Sequence, residues 1–356
     1  MNKDSPIYVA GHRGLVGSAI VRCLHARGYK NILIKSSSEL DLLNQQAVEI
    51  FFRMEKPEYV FLAAAKVGGI LANLTYPADF IYQNLMIGVN VIHAAHRHGV
   101  KKLLNLGSTC IYPRLVAQPM KESYLLMSEL EPSNEAYAIA KISIIKMCSY
   151  YNRQFGRNFV SVMPTNQYGE NDNFNMETAH ALPMLLRRFH LAKLIRNNDF
   201  DAIREDLEKY PIGWGLHSNQ VVSNSNDALE QILNQLGVYR DKVVVWGDGS
   251  VYREFMNSDD LADACVYLMQ HKNYEDIGEF VNITSGTDIL LKDLFDLLKN
   301  IIEFFGDIEY DTSKPNGTPR KLPDATKIRS LGWMPKIPLE DGVRKFYQWY
   351  CSRGKT

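Results

Sequence analysis

An α/β fold, a doubly wound parallel sheet with a smaller second α/β domain, is what the 356 residues predict. Three observations carry this. Short apolar runs alternate with helical patterns through the first half of the chain. A glycine-rich turn lies between the first run and the first helix. The rhythm then breaks near Pro164, where a more polar second half begins.

The elements follow in order. Ile7-Tyr8-Val9-Ala10 reads as a buried strand, and Ser18 to Arg27 as a helix closed by Gly28. Ile32 to Ile34 is a strand, Asn44 to Glu55 a helix, and Tyr59 to Leu62 a strand. Asp79 to His98 is helical and Leu103 to Leu106 extended. Tyr137 to Phe155 is a long helix, and Val160 to Met163 the next strand. Strands alternating with helices make a parallel sheet wrapped on both faces, with ligands at the carboxyl ends of the strands. His190 to Gln235 reads as a polar, mostly helical insertion, interrupted from Pro211 to Asn226. Val243 to Trp246 and Phe280 to Ile283 return to strand character. Leu290 to Phe305 is an amphipathic helix, Ser313 to Lys321 a Pro- and Gly-punctuated loop, and Leu339 to Tyr350 a closing helix. This divides the chain into a first domain of residues 1–163, rejoined by about 243–285, and a second of 164–242 and 286–356. The insertion spans about 195–241.

Composition narrows the function. Forty basic and forty acidic residues leave no net charge, and no basic run offers phosphates a partner, so nucleic acid is not expected. No stretch approaches the roughly 18 apolar residues of a membrane span. Met1 to Pro6 leads straight into the first strand with no secretory pattern. Five cysteines, Cys23, Cys110, Cys148, Cys265 and Cys351, show no Cys-x-x-Cys pair. Reduced thiols in a cytoplasmic protein, and no metal centre, are the expectation. Four of the five fall in helical stretches and read as small packing residues; Cys110 does not.

The glycine-rich turn is Gly11-His12-Arg13-Gly14-Leu15-Val16-Gly17. Glycine permits the tight turn, lets backbone approach a pyrophosphate, and lets the helix press on the strand. The helix N-terminus presents unpaired N–H groups to phosphate. A dinucleotide is therefore expected here. The second strand ends in Lys35-Ser36-Ser37-Ser38, with no carboxylate for a ribose 2′-hydroxyl. Together with Arg13, those groups suit a 2′-phosphate and favour NADP.

Tyr137 and Lys141 stand four residues apart on one helix face. An ammonium beside a phenol is expected to stabilise the phenolate and lower its pKa, so that the phenol protonates a developing alkoxide. Ser108, past the strand that ends at Leu106, can bond the same oxygen. Tyr-x-x-x-Lys alone is weak, since 19 tyrosines give about one match by chance. Tyr310 and Lys314 form a second match, but it runs into Pro315 and reads as a loop. The ordered set carries the signal: glycine turn, strand-end serine, then Tyr and Lys on a helix.

With those residues the chain resembles the extended short-chain dehydrogenase/reductases, whose sheet is the Rossmann type. Within them it is similar to the epimerase/reductases of GDP-linked 4-keto-6-deoxy sugars. The strings that carry the resemblance include residues 10–19, 63–70, 76–84, 110–113, 131–141, 163–166, 185–190, 253–255 and 313–322. The resemblance implies NADPH-dependent 3,5-epimerisation and 4-keto reduction, giving GDP-L-fucose. It implies Ser108, Tyr137 and Lys141 as the reductase triad, and Cys110 and His180 as the acid/base pair that inverts carbons 3 and 5. A thiol and an imidazole can remove and return protons acidified by the neighbouring ketone. By the same similarity Leu15, Val16, Asp41 and Leu106 join the glycine turn around the cofactor. Pro164, Thr165, Asn166, Lys141 and His180 complete that set. Arg188, Trp246, Arg253, Asn316 and Lys321 match contacts to the GDP-sugar. Arginine forks suit diphosphate oxygens. The second domain is then the substrate domain, and helices Asp79–His98 and Tyr137–Phe155 pair in a homodimer.

Three positions depart from the pattern: Ser37 replaces a common Arg, Asn316 a common Asp, and the insertion occurs in some members only. It either covers the sugar or decorates the surface. Two rivals stay open. One is a 4-reductase of a related GDP-sugar, for example a heptose, with or without epimerisation. The other is a regulator that holds NADP only as a structural ligand.

Overall fold

The computed structural model describes residues 1–216, 218–314 and 316–352. They form two compact units. The first comprises Met1–Asn171, Glu254–Thr287 and Lys321–Ile337; the second begins at Asp172 and holds the rest.

The first unit is laid out by β1 (Ile7–Ala10), α1 (Leu15–Ala26), β2 (Ile32–Leu33), α2 (Gln45–Glu55), β3 (Tyr59–Leu62), α3 (Ile70–Thr75), α4 (Pro77–Arg97), β4 (Lys102–Leu106), α5 (Glu135–Phe155), β5 (Phe159–Pro164) and β6 (Val281–Ile283). The six strands form one parallel sheet in the order β6-β5-β4-β3-β1-β2. The order reverses between β1 and β3, which opens the switch point where such sheets bind ligands. Alternate residues of each strand enter opposite cores. Ile7, Val9 and Phe61 pack with α1 and helix Ser258–His271. Tyr8, Ala10 and Val60 pack with α2, α4 and α5. Burial on both faces explains why these strands read as continuous apolar runs.

Local signals set several helix ends. Asn44 caps α2 by accepting from Ala47 N at 3.1 Å. Gly156 ends α5 at φ +61°, a conformation costly for other residues. α1 starts at Leu15, three residues before the predicted start, because Gly14 already takes the N-cap position. Helix α3 has no counterpart in the sequence reading.

The boundaries differ from the expected ones. Residues 164–171 stay with the first unit, because Asn166–Tyr168 pairs in parallel with Phe255–Asn257. The return begins at Glu254, not near residue 243: strand Lys242–Trp246 pairs instead with Asp307–Asp311 of the second unit. Residues 321–337 also belong to the first unit, where Ile328, Leu331 and Trp333 join its core. Residues 353–356 of the expected second domain, and Pro315 of its loop, lie outside the described residues.

In the second unit helix Ala181–Arg196 is buried along much of its length, including Leu182, Leu186 and Phe189. The insertion contains helices Phe200–Lys209, Ser218–Val222 and Asn226–Gln235. The first of these is core and not surface decoration, since Phe200, Ile203, Asp206 and Leu207 are buried. Among the described residues no helix is long and apolar enough to cross a membrane.

Candidate active site

The glycine turn is as tight as its spacing demands. Gly11 sits at φ +83°, where a Cβ would lie 2.7 Å from Ala64 N at the end of β3. A Cβ on Gly17 would lie 2.1 Å from Gly11 O. Both positions therefore require glycine. Gly14 N donates to Gly11 O at 3.0 Å, and the first turn of α1, with Leu15 and Val16, carries no acidic residue. That leaves the positive end of α1 to an anion.

Beyond β2, Arg13, Ser37 and Ser38 are exposed and Lys35 is half-buried. The His12 ring bonds the backbone of Lys35, while its Nδ1 is buried without a partner. Burial, then Arg13, pull the His12 pKa down. Asp41 closes the turn into α2 by accepting from Leu43 N at 2.9 Å. Sequence reasoning missed Glu39, whose carboxylate accepts from Ser36 N at 2.8 Å and Ser36 Oγ at 2.5 Å. Those bonds hold the turn that displays Ser37 and Ser38. A backbone cradle, two cations and exposed hydroxyls fit a dinucleotide bearing a 2′-phosphate.

At the carboxyl end of β4 the chain turns through Thr109–Ile111. Ser108 Oγ accepts from Cys110 N at 3.3 Å there. The Ser108 hydroxyl also bonds both the Tyr137 phenol and the Cys110 thiol. Lys141 is buried and donates to Leu106 O at 2.8 Å. Its Nζ stands 5.6 Å from the Tyr137 ring centre. Ser108, Cys110, Tyr137 and Lys141 are thus one cluster.

The expected lowering of the phenol pKa is not what this cluster produces. Burial pushes Tyr137 above its ordinary range and Cys110 adds to the rise, while Ser108 opposes it. Burial brings Lys141 down to about 8. Desolvation dominates at both groups because both are enclosed. The outcome is a neutral phenol, the form that can donate a proton.

Three supports carried no assigned role in the sequence. Phe80 meets Tyr137 edge-on at 6.2 Å. Asn84 donates to Phe80 O at 2.7 Å and Lys66 O at 3.0 Å, and accepts from Lys66 N at 3.1 Å. An Asn buried within α4 was the available signal. The third support is Glu254, fully buried beside the Pro164–Asn166 turn. Its carbonyl accepts from Asn166 Nδ2 at 2.8 Å, and its carboxylate from Thr284 Oγ1 and, at 2.7 Å, Ser285 Oγ. Thr165 N donates to Ile283 O at 3.2 Å.

The remaining residues, other than Lys321, lie in the second unit. His180 is the exposed N-cap residue of helix Ala181–Arg196, and desolvation lowers its pKa. Arg188 is buried in that helix and donates from Nη1 to Val244 O at 3.2 Å. Its Nε has no partner, and burial brings its pKa down to about 10. A buried guanidinium with an unfilled donor is suited to an anion. Val244 belongs to the strand that ends at Trp246, half-exposed beneath Lys314 Nζ at 5.7 Å from the ring centre. Asn316 Oδ1 accepts from Asp248 N at 2.9 Å, and Arg253 Nη1 donates to Tyr252 O at 2.7 Å. Tyr310 lies on a strand and not a helix, so its pairing with Lys314 is not a second site.

Comparison with known proteins follows this geometry. The model of the NAD dependent epimerase/dehydratase family matches residues 7–206 and 215–284. GDP-L-fucose synthase 1 of Arabidopsis thaliana is 50% identical over 356 residues, covering 99% of this chain and 96% of that protein. The GDP-L-fucose synthase of Escherichia coli strain K12 is 45% identical, covering 97% of this chain and 96% of that protein. A solved GDP-mannoheptose C4 reductase from Campylobacter jejuni, with NADP bound, is 42% identical with a TM-score of 0.86, covering 99% of both chains.

Proposed function

Because the chain belongs to the NAD dependent epimerase/dehydratase family, we propose that it is an NADPH-dependent epimerase/reductase converting GDP-4-keto-6-deoxy-mannose to GDP-L-fucose. The observation that carries this reading is the enclosed cluster in which one Ser108 hydroxyl bonds both a phenol and a thiol.

On this reading the first unit binds NADP through the glycine turn, Arg13, Lys35 and the Pro164–Asn166 turn. When bound, NADPH supplies the hydride for carbon 4. Tyr137 protonates the carbonyl oxygen as it gains charge, and Lys141 orients the phenol. Cys110 and His180 move the protons at carbons 3 and 5, and Ser108 and Tyr137 donate hydrogen bonds to the enolate oxygen. Arg188, Arg253 and Lys321 hold the diphosphate, with Trp246 and Asn316 along the nucleotide.

Absorbance decay of NADPH with GDP-4-keto-6-deoxy-mannose tests the reduction; no decay would reject it. NMR of the product fixes sugar and stereochemistry. The likeness to the heptose C4 reductase favours one rival, a GDP-heptose reductase, and a heptose product without inversion would establish that rival instead. Cys110→Ser is expected to keep cofactor binding while deuterium uptake at carbons 3 and 5 in heavy water falls sharply. Unchanged uptake would return Cys110 to a packing role.

We place the protein in the cytoplasm, since all five cysteines are free. We also assign it a homodimer built on α4 and α5, which expose Tyr82, Val89, Ile139, Tyr150 and Phe155. Light scattering is expected to give twice the chain mass, and a monomer would reject that assembly.

A further inference from the structure

In a dinucleotide-binding sheet, an acidic residue just past the second strand accepts from the ribose 2′-hydroxyl and so selects NAD. This chain has a residue of that kind. Glu39 is the first acidic residue after β2, and it is exposed. Its carboxylate is turned back along the chain. One oxygen, Oε2, accepts from both Ser36 N at 2.8 Å and Ser36 Oγ at 2.5 Å. A carboxylate only accepts, so the single Ser36 hydroxyl proton is given to Glu39. Ser38 Oγ, 3.0 Å from Ser36 Oγ, is then the donor to it. The Ser36 bonds, and after them Lys35 and Arg13, hold the Glu39 carboxyl below its ordinary range.

We propose that Ser36 is a positioning residue for cofactor choice: it keeps the Glu39 carboxylate off the ribose, and so leaves that end of the site to a 2′-phosphate. This rests on the reading that the glycine turn binds a dinucleotide.

The charges explain why a restraint matters. A 2′-phosphate is repelled by a carboxylate, whereas a 2′-hydroxyl donates to one. Ser37, displayed by the same turn, brings no cation of its own to offset that repulsion. The turn itself does not depend on the Ser36 hydroxyl. Glu39 N and Leu40 N both donate to Ser36 O, at 3.0 and 2.9 Å, and the Leu40 side chain is buried. Removing the hydroxyl therefore loosens the carboxylate and leaves the backbone in place.

Calorimetric titration of the whole protein with NADP and with NAD tests this, with no sugar present. The preference is the NAD dissociation constant divided by the NADP one. Ser36→Ala is expected to lower it about tenfold, the scale of one charge-assisted hydrogen bond. Ser36→Ala combined with Glu39→Gln should return to within about threefold of wild type, because the loosened amide carries no charge against the phosphate. Circular dichroism checks each fold, and Ser36→Cys, with its weaker donor, replaces Ser36→Ala if the latter does not fold. A preference unmoved in the single variant overturns the proposal. A double variant that stays low also overturns it, since the shape of the turn and not the carboxylate would then set the choice. Wild-type protein that binds neither dinucleotide removes the cofactor reading and the proposal with it, whereas tight NADP binding with an unmoved preference removes the proposal alone.

Discussion

Tyr137→Phe is expected to lower turnover of the 4-keto sugar about 100- to 10,000-fold, the usual contribution of a positioned acid. NADPH binding, followed by fluorescence titration, should not change. The substitution removes one oxygen and little else. The ring keeps its edge-on contact with Phe80, and Lys141 keeps its bond to Leu106 O. Loss of rate therefore reports proton donation and not collapse of the site. Burial keeps the phenol neutral, so the donor form persists across the working pH range. Deuterium uptake at carbons 3 and 5 should survive in this variant, because Cys110 and not Tyr137 removes those protons. Turnover within about tenfold of wild type would take Tyr137 out of the reaction.

The second large effect is on stability, at Asp206 in the second unit. Arg187 is fully buried and donates from Nε to Asp206 Oδ1 at 2.8 Å. Its other nitrogens donate to the carbonyls of Phe174, Tyr210 and Pro211. Tyr350 OH, on the closing helix, donates to Asp206 Oδ2. One carboxylate thereby ties the insertion helix to helix Ala181–Arg196 and to the end of the chain. Asp206→Ala leaves a buried guanidinium without its counter-charge, a change that costs about 3–5 kcal/mol. Urea unfolding should show the loss, and Asp206→Asn should recover only part of it, since the amide restores hydrogen bonding without charge. A loss under about 1 kcal/mol in the Ala variant would mean that the pair is not structural.

Asp206 also shows where reading the chain stopped short. A polar, mostly helical insertion is legible in the sequence, but nothing local singles out the buried acid within it. Its partner Arg187 is 19 residues away and Tyr350 is 144 away. Separations of that kind leave no local pattern. Glu254 is the same case: in sequence it is the middle of an Arg-Glu-Phe string, and its partners at Asn166 and Ser285 are 88 and 31 residues distant. Val243 to Trp246 reads as a strand, yet its apolar residues cannot say which sheet it joins. Glu39 differs, since its bonds to Ser36 span only three residues and lie within reach of a local reading.

What the sequence determined by itself is local. The strand-and-helix rhythm, the glycines whose absent side chains the turn requires, and the four-residue step from Tyr137 to Lys141 all act within one turn or one β-α-β unit. Near neighbours in the chain are near in space whatever else folds around them. The tertiary structure decided the protonation of Tyr137, the sharing of Ser108 between phenol and thiol, the point of return at Glu254, and the anchoring of the insertion. Each depends on how much water is excluded and on which distant groups meet, and only the packed chain sets either.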